Sequence, residues 1–437
     1  MQRQHRFFTR MIALAMAITT SVGVLASAST AEETVEKVRF ATFNVSLYGN
    51  QAGELAQRLA MTDDSKAAAV AEIIQRVRPD VLLLNEIDYD GDSDSSQSQP
   101  AMGVVELLQK NYLGIGQNVS QSPEGPAEPI HYEYQFTAPS NTGMHSGHDL
   151  NRDGQTDDQP GTNQYAADCW GYGRYPGQYG MAILSRFPID EQAVRTFRTF
   201  LWRDMPQARL PDNDQTETAA DWYSAEKLQQ FPLSSKSHWD VPILIAGRTI
   251  HVLASHPTPP VYDGPEDRNG RRNHDEIRFW VDYLTENQGD YIYDDRQVRG
   301  GLPSTAEFVV LGDLNSDPHD GQGSESISQL LAAARVQGTP EPESEGGEEQ
   351  ANLQGGVNGS HQGNPRHDTL DAADRQGPGN LRLDYVLPAR GMIMVDSGVF
   401  WPHNKAHLFR LVGTYPFASS DHRLVWVDIA CEPERLP

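Results

Sequence analysis

The sequence predicts an α/β fold with mixed β-sheets. Short apolar segments rich in β-branched residues recur along the 437-residue chain, and segments with helical spacing lie between some of them. Two apolar segments are separated by a turn that contains Gly247, which is typical of an antiparallel hairpin. Since strands alternate with helices and a hairpin also occurs, we expect mixed sheets rather than a purely parallel arrangement.

Seven segments are predicted to contain buried strands, because each is apolar and rich in Val, Ile and Leu. In chain order they are KVRFATFNV (37–45), VLLLNEI (81–87), GMAILSRF (180–187), PILIAGRTIHVLAS (242–255), EFVVLGDL (307–314), LRLDYVL (381–387) and HRLVWVDIA (422–430). The fourth segment is the predicted hairpin.

Three segments are predicted to form helices. In SKAAAVAEIIQRV (65–77), Val70, Ile73, Ile74 and Val77 fall at helical spacing, and Pro79 ends the helix. The other two are HDEIRFWVDYLTEN (274–287) and SISQLLAAARV (326–336). The elements predict one domain over residues 36–431, with loop insertions at 118–178, 203–238 and 337–380, of which the last is acidic and is expected to be a mobile surface loop.

Residues 1–28 have the features of a secretory signal peptide. Arg3, Arg6 and Arg10 precede an apolar run, and Ala26-Ser27-Ala28 fits a small-residue cleavage site. An uncleaved membrane anchor is the alternative, but the run is short and interrupted by Thr and Ser. We therefore expect a secreted or periplasmic protein, cleaved near Ala28, without stable membrane association.

The formal net charge is −25. Such a charge opposes tight binding to duplex DNA and to anionic membranes, although it permits a local basic site. The two cysteines, Cys169 and Cys431, could form a disulfide after export or remain as two buried thiols. The sequence lacks the Cys–His spacings that are typical of structural zinc sites.

Polar residues stand at the ends of the apolar strands, where a packed core gives way to solvent. They are Asn44, Glu86, Asp313, Asn315, Asp384, Asp421 and His422. Any one of them alone could be an ordinary cap or turn residue. Carboxylates that share a buried space require a cation or a proton, and oxygen ligands favour Mg²⁺, Mn²⁺ or Ca²⁺.

Seven segments also resemble, in order, the motifs of the endonuclease/exonuclease/phosphatase superfamily. They are ATFNV, LLLNEID, GMAILSRFPI, SHPTPP, VLGDLNSDP, LRLDYVLP and SSDHRLVWVDI, and they extend from about Val38 to Ile429. This superfamily includes DNase I-like nucleases, inositol polyphosphate 5-phosphatases and bacterial sphingomyelinases. The resemblance implies a four-layer sandwich of two packed mixed β-sheets flanked by helices, and a Mg²⁺- or Mn²⁺-dependent phosphoester hydrolase.

The resemblance also implies roles for the residues on the metal side of the site. Glu86 would be the principal metal ligand. Asn44 would lie beside it and hold the metal or the phosphate, and Asp421 would assist at the same side.

The remaining roles concern the phosphate and the attacking water. By the same resemblance, Asp313 would orient or deprotonate the water and Asn315 would bind a phosphate oxygen. His422 would contact the phosphate while Asp384 fixes its orientation. His256, in SHPTPP, is similar to a second catalytic histidine near the leaving group.

Three arginines, Arg268, Arg271 and Arg272, form a basic cluster in this acidic chain. One interpretation is a clamp that binds the substrate phosphate. The alternative is a solvated loop whose arginines pair with neighbouring acidic residues.

A calcium-loop spacing is present independently of the superfamily motifs. Asp149, Asn151, Asp153 and Asp157 alternate around a Gly as in a wrapped Ca²⁺ site, but the usual twelfth-position Glu is replaced by Pro160. A structural Ca²⁺ and an ordinary Asp/Gly-rich turn both remain open.

The substrate class is also open at this point. A phosphodiester or phosphomonoester, either as a small molecule or within a nucleic acid, fits the motifs, and an extracellular nuclease is one specific alternative. A non-catalytic binding protein with the same fold is disfavoured, because such a protein would be expected to lack some of the superfamily motifs and none is missing here. The sequence indicates no obligate protein partner.

Overall fold

The computed structural model describes residues 36–91, 103–213, 215–372 and 377–431. The predicted signal peptide, residues 1–28, lies outside the described residues. None of the described helices is both long and apolar enough to span a bilayer.

The described strands form two mixed sheets, as predicted. The strands are β1 (Glu36–Leu47), β2 (Val81–Ile87), β3 (Tyr134–Phe136), β4 (Gly180–Ser185), β5 (Arg195–Thr196), β6 (His238–Ile245), β7 (Arg248–Ser255), β8 (Glu307–Asp313), β9 (Asp384–Pro388), β10 (Ile393–Val399) and β11 (Val425–Cys431). One sheet has six strands in the order β10-β11-β1-β2-β4-β3, and the other has five in the order β5-β6-β7-β8-β9. β1 pairs with β2 in parallel and with β11 antiparallel, while β8 pairs with β7 in parallel and with β9 antiparallel.

The two sheets pack face to face through their central strands. β1 contacts β8 and β9, and β2 contacts β8. The strands β2 and β8 are buried along nearly their whole lengths, because each sheet has the other on one face and further structure on its outer face. Helices supply that outer cover, which confirms the predicted sandwich of two sheets flanked by helices.

The described helices are mostly short. They are α1 (Glu54–Ala60), α2 (Ser65–Val77), α3 (Val104–Leu108), α4 (Asn163–Ala167), α5 (Ala225–Leu228), α6 (Arg268–Leu284), α7 (Ser324–Leu331), α8 (Glu345–Gln354) and α9 (Phe409–Val412). Helix α2 has the predicted bounds: the Asp64 carboxylate accepts a hydrogen bond from Ala67 N, and the helix ends at Arg78 in a left-handed conformation just before Pro79.

Helix α6 covers the second sheet. The Trp280 indole donates a hydrogen bond to Ser255 Oγ, and the Tyr283 hydroxyl donates one to Asp240 Oδ2, so the helix is fixed across β6 and β7. It begins at Arg268 rather than at the predicted residue 274. The arginine cluster therefore belongs to the first turns of a helix and not to a loop.

The structure corrects two sequence predictions. The segment 337–380, which was expected to be a mobile surface loop, contains helix α8, and the Ser344 hydroxyl caps this helix by accepting a hydrogen bond from Gly347 N, so the segment is not irregular throughout. Strands β3, β5 and β10 were not predicted, because β3 and β5 are very short and the apolar run of β10 ends after Val395, in an edge strand whose first half is largely exposed.

Cys169 and Cys431 are both buried and form no disulfide. The Cys169 thiol lies 3.2 Å from the Tyr165 carbonyl oxygen, which accepts its hydrogen bond. The structure therefore supports two buried thiols instead of a bridge.

A buried carboxylate joins β1 to β11. Asp428 accepts hydrogen bonds from Arg39 Nε at 2.7 Å and Arg39 Nη2 at 2.8 Å, and Lys37 Nζ lies 2.7 Å away. The Arg39 guanidinium also stacks over the Trp426 ring at 3.8 Å from its centroid. Burial alone would raise the pKa of Asp428, but the bonds from Arg39 and Lys37 outweigh it and hold that pKa below its usual range.

Replacement of this carboxylate should therefore destabilise the protein in a pH-dependent way. Asp428→Asn is expected to cost about 1.5–3 kcal/mol of unfolding free energy near neutral pH, because charge-assisted bonds are lost. A lowered pKa stabilises the fold above the unfolded-state pKa of Asp, and this stabilisation is lost as pH falls through the folded-state pKa. The free energies of unfolding of wild type and variant, measured with urea, should thus converge at acidic pH. Asp396→Asn on the exposed strand β10 is the control, and an equal loss in both variants would contradict the expectation.

Candidate active site

The polar residues at the strand ends meet at one edge of the sandwich, around the carboxylate of Asp313. Asp313 Oδ2 accepts a hydrogen bond from Asn44 Nδ2 at 2.9 Å. The same oxygen lies 3.4 Å from His256 Nε2 and 3.7 Å from His422 Nε2. Asn44 comes from β1 of the first sheet, whereas Asp313 ends β8 of the second, so the site forms only when the sheets pack.

Asp313 is an unusually basic carboxylate. Burial is the main cause that raises its pKa, the charge of His422 opposes the rise, and Asp384 and Glu86 add to it. A carboxylate that takes up a proton near neutral pH can act as a general base, provided that a proton donor lies within reach.

His422 is held by Asp384. His422 Nδ1 lies 2.8 Å from Asp384 Oδ2, and the same oxygen accepts a hydrogen bond from Thr369 Oγ1 at 2.7 Å. Burial would lower the pKa of His422, but Asp384 and then Asp313 outweigh it and raise the pKa well above its usual value. His422 is therefore a cation that presents Nε2–H toward Asp313.

His256 is in the opposite protonation state. It follows strand β7 and is buried, and its Nδ1 has no hydrogen-bond partner within the described part of the chain. Burial, followed by the positive charges of Lys236 and His422, lowers its pKa well below the usual value. The site therefore combines one charged and one neutral histidine beside the same carboxylate.

Glu86 and Asn44 lie at irregularities in the first sheet. The pairing of β1 with β2 shifts register between Asn44 and Leu47, and that of β2 with β4 shifts between Asn85 and Ile87. Glu86 has φ 57°, a left-handed conformation that turns its side chain from the sheet into the site. Burial raises its pKa, while His422, Lys236 and Asn44 act in the opposite sense.

Asp421 and Asn315 complete the set of predicted residues. Asp421 is half-buried, and its charge acts on Glu86 and on Lys66, which places it on the Glu86 side. Asn315 has φ 51° and donates from Nδ2 to the Pro257 carbonyl at 3.1 Å, while its backbone N–H donates to Asp313 Oδ1 at 3.0 Å. Its side chain thus ties the β8 end to the segment after His256.

Lys236 is a site residue that the sequence did not reveal. It precedes β6 and is only 7% exposed. Burial lowers its pKa, and the charges of Glu276, Glu86 and Asp313 oppose that effect. A lysine just before a strand in an otherwise polar segment has no distinctive sequence pattern; the nearest indication was its position at the foot of the hairpin that ends in His256.

Two polar residues of helix α6 brace the site from behind. Glu276 accepts hydrogen bonds from Ser235 N and Thr258 N, both at 2.6 Å, and Asn273 Nδ2 donates to the carbonyls of Thr258 and Leu314. The helix therefore fixes the segments that carry Lys236, His256 and Asp313. Buried polar side chains on the inner face of an amphipathic helix could have indicated this role.

The three arginines of the predicted clamp do not converge on the site. Arg272 is buried and donates to the carbonyls of Leu233, Trp170 and Pro232. Arg268 pairs with Glu266, and Arg271 donates to the Leu210 carbonyl. The structure does not support the clamp interpretation, because these guanidinium groups are directed to Glu266 and to backbone carbonyls, although Arg271 Nε has no hydrogen-bond partner among the described residues.

The predicted calcium loop does not gather its side chains around one point. Asp149 Oδ2 accepts from Gly154 N, Asn151 Oδ1 from Asp153 N, and Asp157 Oδ1 from Gln159 N. Among the residues that the structure describes, the one group of three His, Cys, Asp or Glu side chains with converging ligand atoms is Asp313, Asp384 and His422. The bonds at 149–157 are those of an Asp/Gly-rich turn.

The chemistry of the donor set fits a divalent cation. The ligand atoms of Asp313, Asp384 and His422 all lie within 4.8 Å of one another. His422, as a cation held by Asp384, has no free ring nitrogen for a metal, so the donors to consider are the oxygen atoms. Asp384 Oδ1 is buried and has no hydrogen-bond partner among the described groups, and the half-buried Glu86 adds a third carboxylate near the same space. Oxygen donors in this number suit Mg²⁺ or Mn²⁺, and they would otherwise have to take up protons.

Comparison with known proteins places the chain among related sequences and folds. The model of the endonuclease/exonuclease/phosphatase family matches residues 41–422, a range that contains all eight predicted site residues. No curated protein matches the sequence.

Similar solved structures include an endonuclease/exonuclease/phosphatase from Beutenbergia cavernae DSM 12333, which is 16% identical over 90% of this chain and 72% of that chain, with a TM-score of 0.46. Sphingomyelinase C from Streptomyces griseocarneus is 13% identical over 90% and 99% of the two chains, with a TM-score of 0.42. TDP2 from Caenorhabditis elegans is 14% identical over 91% and 75%, with a TM-score of 0.39.

The pKa values of His422 and His256 should be widely separated. In metal-free protein, imidazole NMR should show His422 still protonated above neutral pH and His256 neutral well into acid. Asp384→Asn should lower the pKa of His422, because the main charge that favours the cation is removed. The raised folded-state pKa of His422 also stabilises the fold below the unfolded-state pKa of His and ceases to do so as pH rises through the folded value. Ordinary titration of His422 in the wild type would contradict this assignment.

Proposed function

The chain belongs to the endonuclease/exonuclease/phosphatase family, and from this membership we propose that it is a divalent-metal-dependent phosphoester hydrolase. The observation that carries the proposal is the Asp313 carboxylate, which lies within 3.4 Å of neutral His256 and 3.7 Å of cationic His422. We further propose that the protein acts outside the cytoplasm, since residues 1–28 resemble a signal peptide.

The residues around Asp313 divide the work of hydrolysis between them. Asp313 orients a water molecule and accepts its proton as the water oxygen attacks phosphorus. His422 donates from Nε2 to a phosphoryl oxygen, and Asp384 keeps it charged and correctly oriented. Lys236 adds a second positive charge on the same side.

The remaining residues serve the metal and the leaving group. Glu86, Asn44 and Asp421 would hold the cation. When bound, the cation neutralises phosphoryl oxygens and lowers the pKa of water. His256, which is neutral, donates a hydrogen bond from Nε2 to the leaving oxygen, and this oxygen takes a proton from solvent water as the phosphorus–oxygen bond breaks. Both phosphodiesters and phosphomonoesters suit this arrangement, and an extracellular nuclease is a narrower form of the same proposal.

The primary test is turnover of bis(para-nitrophenyl) phosphate with Mg²⁺ or Mn²⁺ and with EDTA. Activity is expected only with metal. Asp313→Asn should lower kcat by roughly 10²–10³-fold or more, because a preorganised group at the reacting water is lost. Asp396→Asn, the same change on an exposed strand, should leave the rate unaltered. Turnover in EDTA, or full activity of Asp313→Asn, would refute the proposal.

Lys236 should contribute mainly to binding of the anionic substrate. Lys236→Met is expected to raise KM about tenfold or more, since one charge-assisted contact with the phosphate is lost. The same change should strengthen Mg²⁺ binding, because a cation that competes for Glu86 and Asp313 is removed. Steady-state kinetics over a range of Mg²⁺ concentrations measures both effects. A uniform loss of kcat with unchanged KM and metal dependence would argue for a structural role instead.

A further inference from the structure

Arg174 is exceptional among the arginines of the described residues. Its guanidinium is the one that makes no hydrogen bond, no ion pair and no contact with an aromatic ring. The side chain is half-buried, so it is not simply extended into solvent. A protein with a net charge of −25 offers many carboxylates, yet none of the described ones pairs with Arg174, so its charge is available to an anionic ligand.

Arg174 lies beside two tyrosines at the Glu86 edge of the site. The rings of Tyr48 and Tyr179 meet edge to face with centroids 4.5 Å apart. Tyr179 immediately precedes Gly180, which pairs with Ile87 next to Glu86, and Tyr48 directly follows strand β1, which carries Asn44. The charges of both Glu86 and Arg174 act on both tyrosine hydroxyls, so the arginine and the carboxylate both lie near the pair.

The segment that carries Arg174 is rigidly attached to the core of the site. The Tyr175 hydroxyl donates to Asp88 Oδ2 at 2.7 Å and is in contact with both the carbonyl and the N–H of Gly49. Gln178 completes the attachment, since Nε2 donates to the Gly49 carbonyl and Oε1 accepts from Arg174 N. The backbone at Arg174 is thus fixed to the segments that follow Asn44 and Glu86.

We propose that Arg174, together with the Tyr48–Tyr179 pair, forms a specificity subsite that binds a second phosphate group of the substrate, with the tyrosine rings against the sugar and base between the two phosphates. This inference rests on the proposed hydrolase function. It selects nucleotide chains, or other substrates with two phosphates flanking a ring, over simple phosphomonoesters.

The positive groups around the site differ in whether a carboxylate already balances their charge. The positive groups nearest the reacting phosphate, His422 and Lys236, face buried carboxylates. Arg174 has no such partner within the described residues, so its charge is available to a ligand. Tyrosine faces accept sugar and base rings of any sequence, which suits binding without base specificity.

Direct binding tests the subsite without depending on turnover. Affinities of thymidine 3′,5′-bisphosphate and thymidine 5′-monophosphate are measured by calorimetry with Mg²⁺, in an Asp313→Asn background that prevents hydrolysis. The bisphosphate should bind about tenfold or more tightly than the monophosphate, because it gains a charge-assisted contact. Adding Arg174→Gln should bring the ratio of bisphosphate to monophosphate affinity close to one, and adding Arg174→Lys should give an intermediate ratio.

Arg203→Gln is the matched control, because Arg203 is an exposed arginine paired with Asp204, and it should preserve the preference. Tyr179→Leu should weaken both nucleotides about fivefold or more, since the ring contacts the part that they share. The thermal midpoint of Arg174→Gln should match that of its parent, as no partner is lost.

The absence of a bisphosphate preference in the Asp313→Asn parent, or its survival in Arg174→Gln, would overturn the subsite. Undiminished affinity in Tyr179→Leu would overturn the ring contact. Failure of the hydrolase proposal has a different signature, namely no turnover of bis(para-nitrophenyl) phosphate by the protein with Asp313 intact.

Discussion

The hydrogen bond between Asn44 and Asp313 joins the two sheets at the edge where the site lies. Asn44 and Glu86 belong to the first sheet, and His256, Asp313 and Asp384 to the second or its strand ends. Packing of β1 on β8 therefore sets the distance between the groups that would hold a metal and those that would handle water and phosphate. A buried carboxylate at this junction is tolerable only because an amide, two histidines and nearby positive charge surround it. The same packing of the two sheets therefore stabilises the sandwich and assembles the site.

Much of this arrangement could be predicted from the sequence, because a strand end is a local pattern with a fixed spatial meaning. Asp313 and Asn315 follow an apolar run, and Glu86 interrupts another, so their side chains had to reach the rim of a core. The groups that hold them in place were not predictable in this way. Glu276 and Lys236 become site residues only when helix α6 and the segment before β6 meet, and that contact depends on the whole fold.

The arginine cluster is a case in which the sequence predicted site residues that the structure places elsewhere. Arg272 was interpreted from its charge, yet its surroundings are three backbone carbonyls. Arg174 has no distinctive sequence pattern, because it lies in a Gly- and Tyr-rich stretch without a basic neighbour. Sequence charge identifies cations, but only tertiary structure distinguishes those that are already satisfied from those that can still bind a ligand.

The strained backbone at the site limits how this protein can be engineered. Ser46, Glu86, Tyr179 and Asn315 all have left-handed φ values, and each such residue costs about 1–3 kcal/mol. Glycine at these positions would relieve the strain, but at Glu86 and Asn315 it would remove side chains that contribute to the site. Selection for heat resistance should therefore trade activity for stability here. Improvements without that penalty are more readily sought on the exposed edge strand β10, where Ile393 and Val395 face solvent.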